Sequence, residues 1–119
     1  MKITVPISVG ELLDKISILQ IKSQFTDNPY VLKEKKYLIQ IAKENGVYSQ
    51  DFLNQLLDVN SKLWAIEDKL REFEENHIFD EEFIRNARLV YITNDKRARI
   101  KKEINEHTNS ELYEIKIYK

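Results

Sequence analysis

Between Ser8 and about Ile104 the apolar residues recur at helical spacing, whereas at the two ends they alternate with polar ones. Ser8 and Glu11 have the spacing of a capping box, the hydroxyl taking a backbone N–H and the carboxylate reaching back, so a first helix should start there. Val9, Leu12, Leu13, Ile16 and Leu19 form one apolar face of it, and Ile18, Ile21 and Phe25 point roughly the opposite way. Such a helix is covered on two sides, either within one chain or by a second subunit. The turn signal Asn28-Pro29 ends it, and a second helix follows from about Tyr30 with Val31, Leu38, Ile41 and Ala42 inward, stopping at Gly46. A long third helix is marked by Phe52, Leu56, Val59, Leu63, Ile66, Leu70 and Phe73 in four-three spacing, the seam of antiparallel bundles. Asp80 is placed to cap a fourth, which carries Phe83, Ala87, Val90 and Ile104 on one face; the β-branched "VYIT" is its weak point, but the phase from Val90 to Ile104 favours one continuous helix. Ile3, Val5 and Ile7 at one end and Tyr113, Ile115 and Ile117 at the other read as strands. The expected fold is mainly α: one domain over residues 1–119, an antiparallel bundle of about four helices with a small two-stranded ribbon from the two termini.

The apolar pattern is broken at two places that face each other. Beside the seam of the third helix, the row Leu53, Leu57, Asn60, Trp64, Glu67, Arg71 begins apolar and becomes polar. On the fourth helix, Asn94, Arg97 and Lys101 interrupt the stripe between Val90 and Ile104, with Arg88, Tyr91 and Asp95 on the adjoining row. In an αα-hairpin about "NHIF", Phe73 lies near Phe83, and counting back brings Trp64 near Asn94 and Asn60 near Arg97. The run Lys96 to Lys102, with its five basic side chains, is then two-sided: Arg97 and Lys101 face inward while Lys96, Arg99 and Lys102 face solvent. The inward cluster has two readings. It is a salt-bridge and amide network that fixes helix register, or it is an anion pocket with forked arginine donors, orienting amides and an aromatic face. As a ligand site it comprises Asn60, Trp64, Glu67, Arg88, Tyr91, Asn94, Asp95 and Arg97, and would take a phosphate- or carboxylate-bearing small molecule.

Composition narrows the classes. Nineteen Lys and Arg against twenty Asp and Glu give a net charge of -1, so nucleic acid is an unlikely partner for want of a basic excess. The absence of cysteine removes disulfides and thiol chemistry and suits a reducing, cytoplasmic location. No apolar run is long enough for a signal-peptide core or a membrane span, so no membrane role is expected. With two glycines no phosphate-binding or nucleophile-elbow loop can be built. The pairs Glu11/Asp14 and Glu72/Glu75 have a spacing that could hold Mg²⁺, in the reverse chain order to all-α nucleoside triphosphate pyrophosphohydrolases. Glu74 and His77 make one E-x-x-H where a di-iron bundle needs two. Neither pattern defines a metal site or a cofactor.

The stretches "VPISVGELLDKISILQIK", "VNSKLWAIEDKLREFE", "FIRNARLVYITNDKRARIKKEIN" and "SELYEIKIY" resemble, nearly end to end, a family of short bacterial and phage proteins catalogued as a domain of unknown function. The resemblance implies a recurring polar pattern at Asn60, Trp64, Glu67 and Asp68 and at Arg88, Tyr91, Asn94, Asp95 and Arg97, with no activity attached. It also implies, for some members, an association with surface-polysaccharide or glycosyltransferase genes, and hence a sugar nucleotide as one ligand to consider. The expected function is a small binding or interaction module, a homodimer or the recruiter of a protein partner. The alternative is a metal-dependent enzyme or accessory protein of nucleotide or sugar-phosphate chemistry, with Glu67 and Asp68 or Glu72 and Glu75 holding the ion.

Overall fold

In the computed structural model, which describes residues 1–118, four helices follow one another: α1 Val9–Lys22, α2 Pro29–Glu44, α3 Gln50–Glu75 and α4 Glu81–His107. Every start is capped by a short polar side chain: Ser8, Asn28, Ser49 and Asp80 accept the backbone N–H of Glu11, Tyr30, Phe52 and Phe83 at 2.9–3.2 Å. The capping box at Ser8 is only half closed, because the Glu11 carboxylate takes Lys101 Nζ at 2.6 Å instead of turning back. A full cationic partner outweighs a peptide N–H. Three helices end by one device. Gly46, His77 and Asn109 adopt positive φ of 68°, 53° and 52°, and the residues after them donate back to Ala42, Phe73 and Asn105. Only one of the three is glycine. His77→Gly should therefore relieve left-handed strain and stabilise the chain by roughly 0.5–1 kcal/mol, read as a higher urea midpoint at unchanged slope.

The central element is α1, which packs against each of the other three helices, while α2 packs on α1 alone. Leu12, Leu13 and Ile16 meet Ala42 of α2, Leu53 and Leu56 of α3 and Ile104 of α4 in one core. The second apolar side of α1 is covered only in part within the chain: Ile21 is buried, whereas Phe25, just past the helix end, stacks on Trp64 of α3 at 5.2 Å with the rings 3° from parallel but stays largely exposed. Beyond that stack the long pair runs free. No residue from Trp64 to Ile92 is buried, although Phe73 and Phe83 meet edge to face at 6.4 Å, as the hairpin register requires. The helix does not break at "VYIT", and Thr93 is buried against its neighbours. No helix among the described residues is long and apolar enough to cross a membrane.

The expected ribbon is not present: neither end forms a strand among the described residues. The two segments start together, where Val9 N–H donates to Ser110 Oγ at 3.2 Å, but they leave that point in different directions. Lys2 reaches Tyr37 of α2 at 3.1 Å. The C-terminal tail instead doubles back along α4, Tyr113 donating to the Asn105 carbonyl and Tyr118 to Asp95. Two lone strands form a marginal unit, and side-chain anchors to separate helices outcompete it.

Candidate functional site

The site begins with a close approach of backbones. At Gly10 a Cβ would lie 2.7 Å from the Lys101 carbonyl oxygen, and only glycine lets α1 and α4 meet there. Its N–H donates to Asn105 Oδ1 at 2.7 Å. Antiparallel packing from that point sets Asp14, one turn along α1, against Arg97, about one turn back along α4. Asp14 is fully buried. Its carboxylate receives Arg97 through a forked pair, Nε to Oδ1 at 3.0 Å and Nη2 to Oδ2, which matches guanidinium to carboxylate geometry. Asn60 of α3 donates to Asp14 Oδ1 at 2.9 Å and to Ser17 Oγ at 2.8 Å, and Ser17 donates to the Asp14 carbonyl at 2.7 Å. Three helices are thereby fixed around one carboxylate. Among the described residues no buried side-chain polar atom lacks a partner.

One turn further out the cluster opens to solvent. Lys101, itself buried, contacts Glu11 at 2.6 Å and lies 3.6 Å from Glu114 of the tail, which also meets Lys116 at 3.1 Å. Arg97 turns its free edge this way, 3.5 Å from Asn94 Oδ1. A cavity of about 130 Å³ lies among Glu11, Asn94, Arg97, Lys101, Glu114 and Lys116. Its electrostatics are paired. The hydrogen bond to Asp14 raises the Arg97 pKa above its ordinary value against the opposing effect of burial, with the charges of Asp14, Glu11 and Glu114 adding to it. At Glu114, burial works upward, but Lys116 and Lys101 outweigh it and hold the carboxyl below its ordinary value. A second hollow, about 450 Å³, lies between the tail and α4 beside Asp95, Arg99, Lys102, Tyr113 and Tyr118.

Of the residues singled out from the sequence, Asn60, Asn94 and Arg97 come together here. Asp95 faces the tail groove and accepts the Tyr118 hydroxyl at 3.2 Å. Trp64 is taken up by Phe25, while Glu67, Arg88 and Tyr91 are exposed on the free part of the hairpin. Glu67, Asp68, Glu72 and Glu75, the α3 carboxylates considered for a divalent ion, are likewise exposed, and no three His, Asp or Glu among the described residues converge into a metal-holding group. Glu11 and Asp14, a metal pair by spacing, instead take Lys101 and Arg97.

Sequence reasoning missed Asp14 and Ser17 as the hub and Glu114 as a contributor. The available signal was the polar pair Asp14/Ser17 interrupting the Leu13/Ile16 face of α1 at one-turn spacing. Glu114 left no such trace, because its place depends on where the tail lies. The model of a family of unknown function (DUF6165) matches residues 1–119. No curated protein and no solved structure matches the chain.

Proposed function

Since the chain belongs to the DUF6165 family, whose function is unknown, we propose from the site itself that it is a cytoplasmic binding module for a molecule carrying a carboxylate or phosphate group. The acidic group is received at the outer mouth of the cluster, by Lys101, Lys116 and the free edge of Arg97, with Asn94 orienting it. One observation carries this reading: a carboxylate already stands there, Glu114 at 3.6 Å from Lys101 and 3.1 Å from Lys116, on a segment whose residues 111–118 are all exposed. A loosely held intramolecular carboxylate is a low-cost occupant for a ligand to displace. The inner Asp14–Arg97–Asn60 network, by contrast, serves as the rigid floor. Nucleotides and sugar nucleotides qualify through their phosphates, and dicarboxylates through their acid groups.

Glu114→Gln removes the competitor without disturbing the floor. Thermal shifts of the parent and of this variant against inorganic phosphate, succinate and a uridine diphosphate sugar, with and without Mg²⁺, test the proposal. Binding of at least one probe should tighten about tenfold in the variant, equivalent to about 1.4 kcal/mol, and Lys116→Gln should weaken it. Saturable binding to none of the probes by Glu114→Gln would remove the reading.

A further inference from the structure

Two neighbouring rows of α4 open into two different hollows. Asn94, Arg97 and Lys101 border the mouth, and Asp95, Arg99 and Lys102, the row beside it, border the hollow of about 450 Å³ whose other wall is the tail. Ala98, Lys101, Glu114 and Lys116 line both, so the hollows adjoin across Ala98, where α4 has almost no side chain to separate them. On the tail side the larger hollow presents Tyr113, Ile115 and Tyr118. Both tyrosines are anchored by their hydroxyls, Tyr113 to the Asn105 carbonyl at 3.1 Å and Tyr118 to Asp95 at 3.2 Å, yet they remain 44% and 72% exposed, and Ile115 75%. Anchored aromatic faces left open to water are surface that a flat ring covers favourably. The charges beside them do not balance. Glu114 is matched by Lys116 and Lys101 by Glu11, which leaves Arg99 and Lys102 against Asp95 alone. Asp95 turns to the Tyr118 hydroxyl, Lys102 only approaches Glu106 at 4.0 Å, and Arg99 has no hydrogen bond or ion pair among the described residues.

We infer that the ligand is an aromatic or heteroaromatic ring with an acidic group at each end, an inference that rests on the reading of the mouth given above. The first acidic group takes the place of Glu114 beside Lys101 and Lys116. The ring lies in the larger hollow along Tyr113 and Tyr118, and the second acidic group meets Arg99, with Lys102 adding its charge. Each part uses something the molecule leaves unspent. The guanidinium of Arg99 offers a carboxylate or phosphate two parallel donors, and the tyrosine faces have no other covering among the described residues. Little has to move. The tail is held at Tyr113 and Tyr118, on either side of Glu114, so the Glu114 side chain can swing out while the wall of the hollow stays in place. Inorganic phosphate and aliphatic acids, which fill the mouth alone, are the weaker ligands on this account.

Isothermal titration calorimetry of the intact chain with inorganic phosphate, phenyl phosphate and para-carboxyphenyl phosphate separates this inference from the one beneath it. Phosphate measures the mouth alone. Phenyl phosphate should bind about tenfold tighter, through its ring, and the carboxyl of the third probe should add about a further fivefold. Arg99→Gln, a change on an exposed helix face, should erase that last gain specifically, and Tyr118→Leu should remove most of the gain from the ring. Circular dichroism of both variants verifies that they fold. Phosphate binding with no improvement in the other two probes overturns the inference and leaves the mouth standing. A carboxyl gain that is absent, or that survives Arg99→Gln, overturns it as well. Binding of none of the three, by the parent or by Glu114→Gln, removes the mouth and this inference with it.

Discussion

Arg97→Ala should destabilise the chain by about 3–5 kcal/mol, the range for leaving one member of a buried ion pair alone. Asp14 is fully buried and can neither turn to solvent nor find another guanidinium; Lys101 stays 3.9 Å away and is already held by Glu11 at 2.6 Å. Asn60 and Ser17 would remain, but neither carries a charge. Urea denaturation gives the loss directly, and the informative comparison is the double variant. In Asp14→Asn/Arg97→Ala the side-chain oxygen can still accept from Asn60 while the buried charge is gone. Its loss should therefore be smaller than the sum of the two single losses by about 1.5–3 kcal/mol. Strict additivity would mean that Asp14 and Arg97 are not energetically joined and that the inner network is not the floor of the site.

Gly10→Ala should cost about 2–3 kcal/mol, although alanine is intrinsically the better helix former by about 1 kcal/mol. The added Cβ would stand 2.7 Å from the Lys101 carbonyl oxygen, 3.2 Å from its carbon and 3.0 Å from Asn105 Oδ1. Two of those three atoms are backbone, so relief requires moving one helix against the other. Movement there also lengthens the Gly10 N–H to Asn105 bond and takes Glu11 away from Lys101. The same substitution should therefore lower both the urea midpoint and the affinity of the outer mouth for an acidic probe. A gain in stability of the size expected from helix propensity would show that α1 and α4 have room to spare.

The helices were legible because their signals are local. The caps at Ser8 and Asp80, the turn at Asn28-Pro29, Gly46 and the four-three seam of α3 act within a turn or two of themselves and appear where expected, while the Ser49 cap of α3 went unread. The hairpin register was legible for a similar reason, since "NHIF" fixes the phase of two long helices and brings Phe73 to Phe83 and Asn60 to the residues around Arg97. The site was only half visible from that hairpin, because its centre lies on α1. No periodicity within α3 or α4 can state that Asp14 is their common partner; that depends on how a third helix lies across them, which a single glycine decides. Glu67, Arg88 and Tyr91 were grouped with Arg97 by phase and by the family resemblance, neither of which reports packing. They are exposed on the part of the hairpin where α3 and α4 pack only on each other and no residue is fully buried. The terminal ribbon failed on the opposite count: the alternation is present, but strand pairing needs two segments to run side by side, and these diverge from Ser110.

The contacts that close the site join residues 83, 90, 95 and 101 positions apart in the chain, whereas the α3–α4 hairpin is sequence-local. Loops of that length close slowly relative to hairpins. The expected order of assembly is the α3–α4 hairpin early and the closure of α1 on α4 late, where Asp14 meets Arg97 and Glu11 meets Lys101. Folding rates should then respond strongly to changes at the hairpin seam and weakly to changes at Asp14 or Gly10, which would instead speed unfolding. On this expectation the cluster around Asp14 is the last structure to form and the first to come apart.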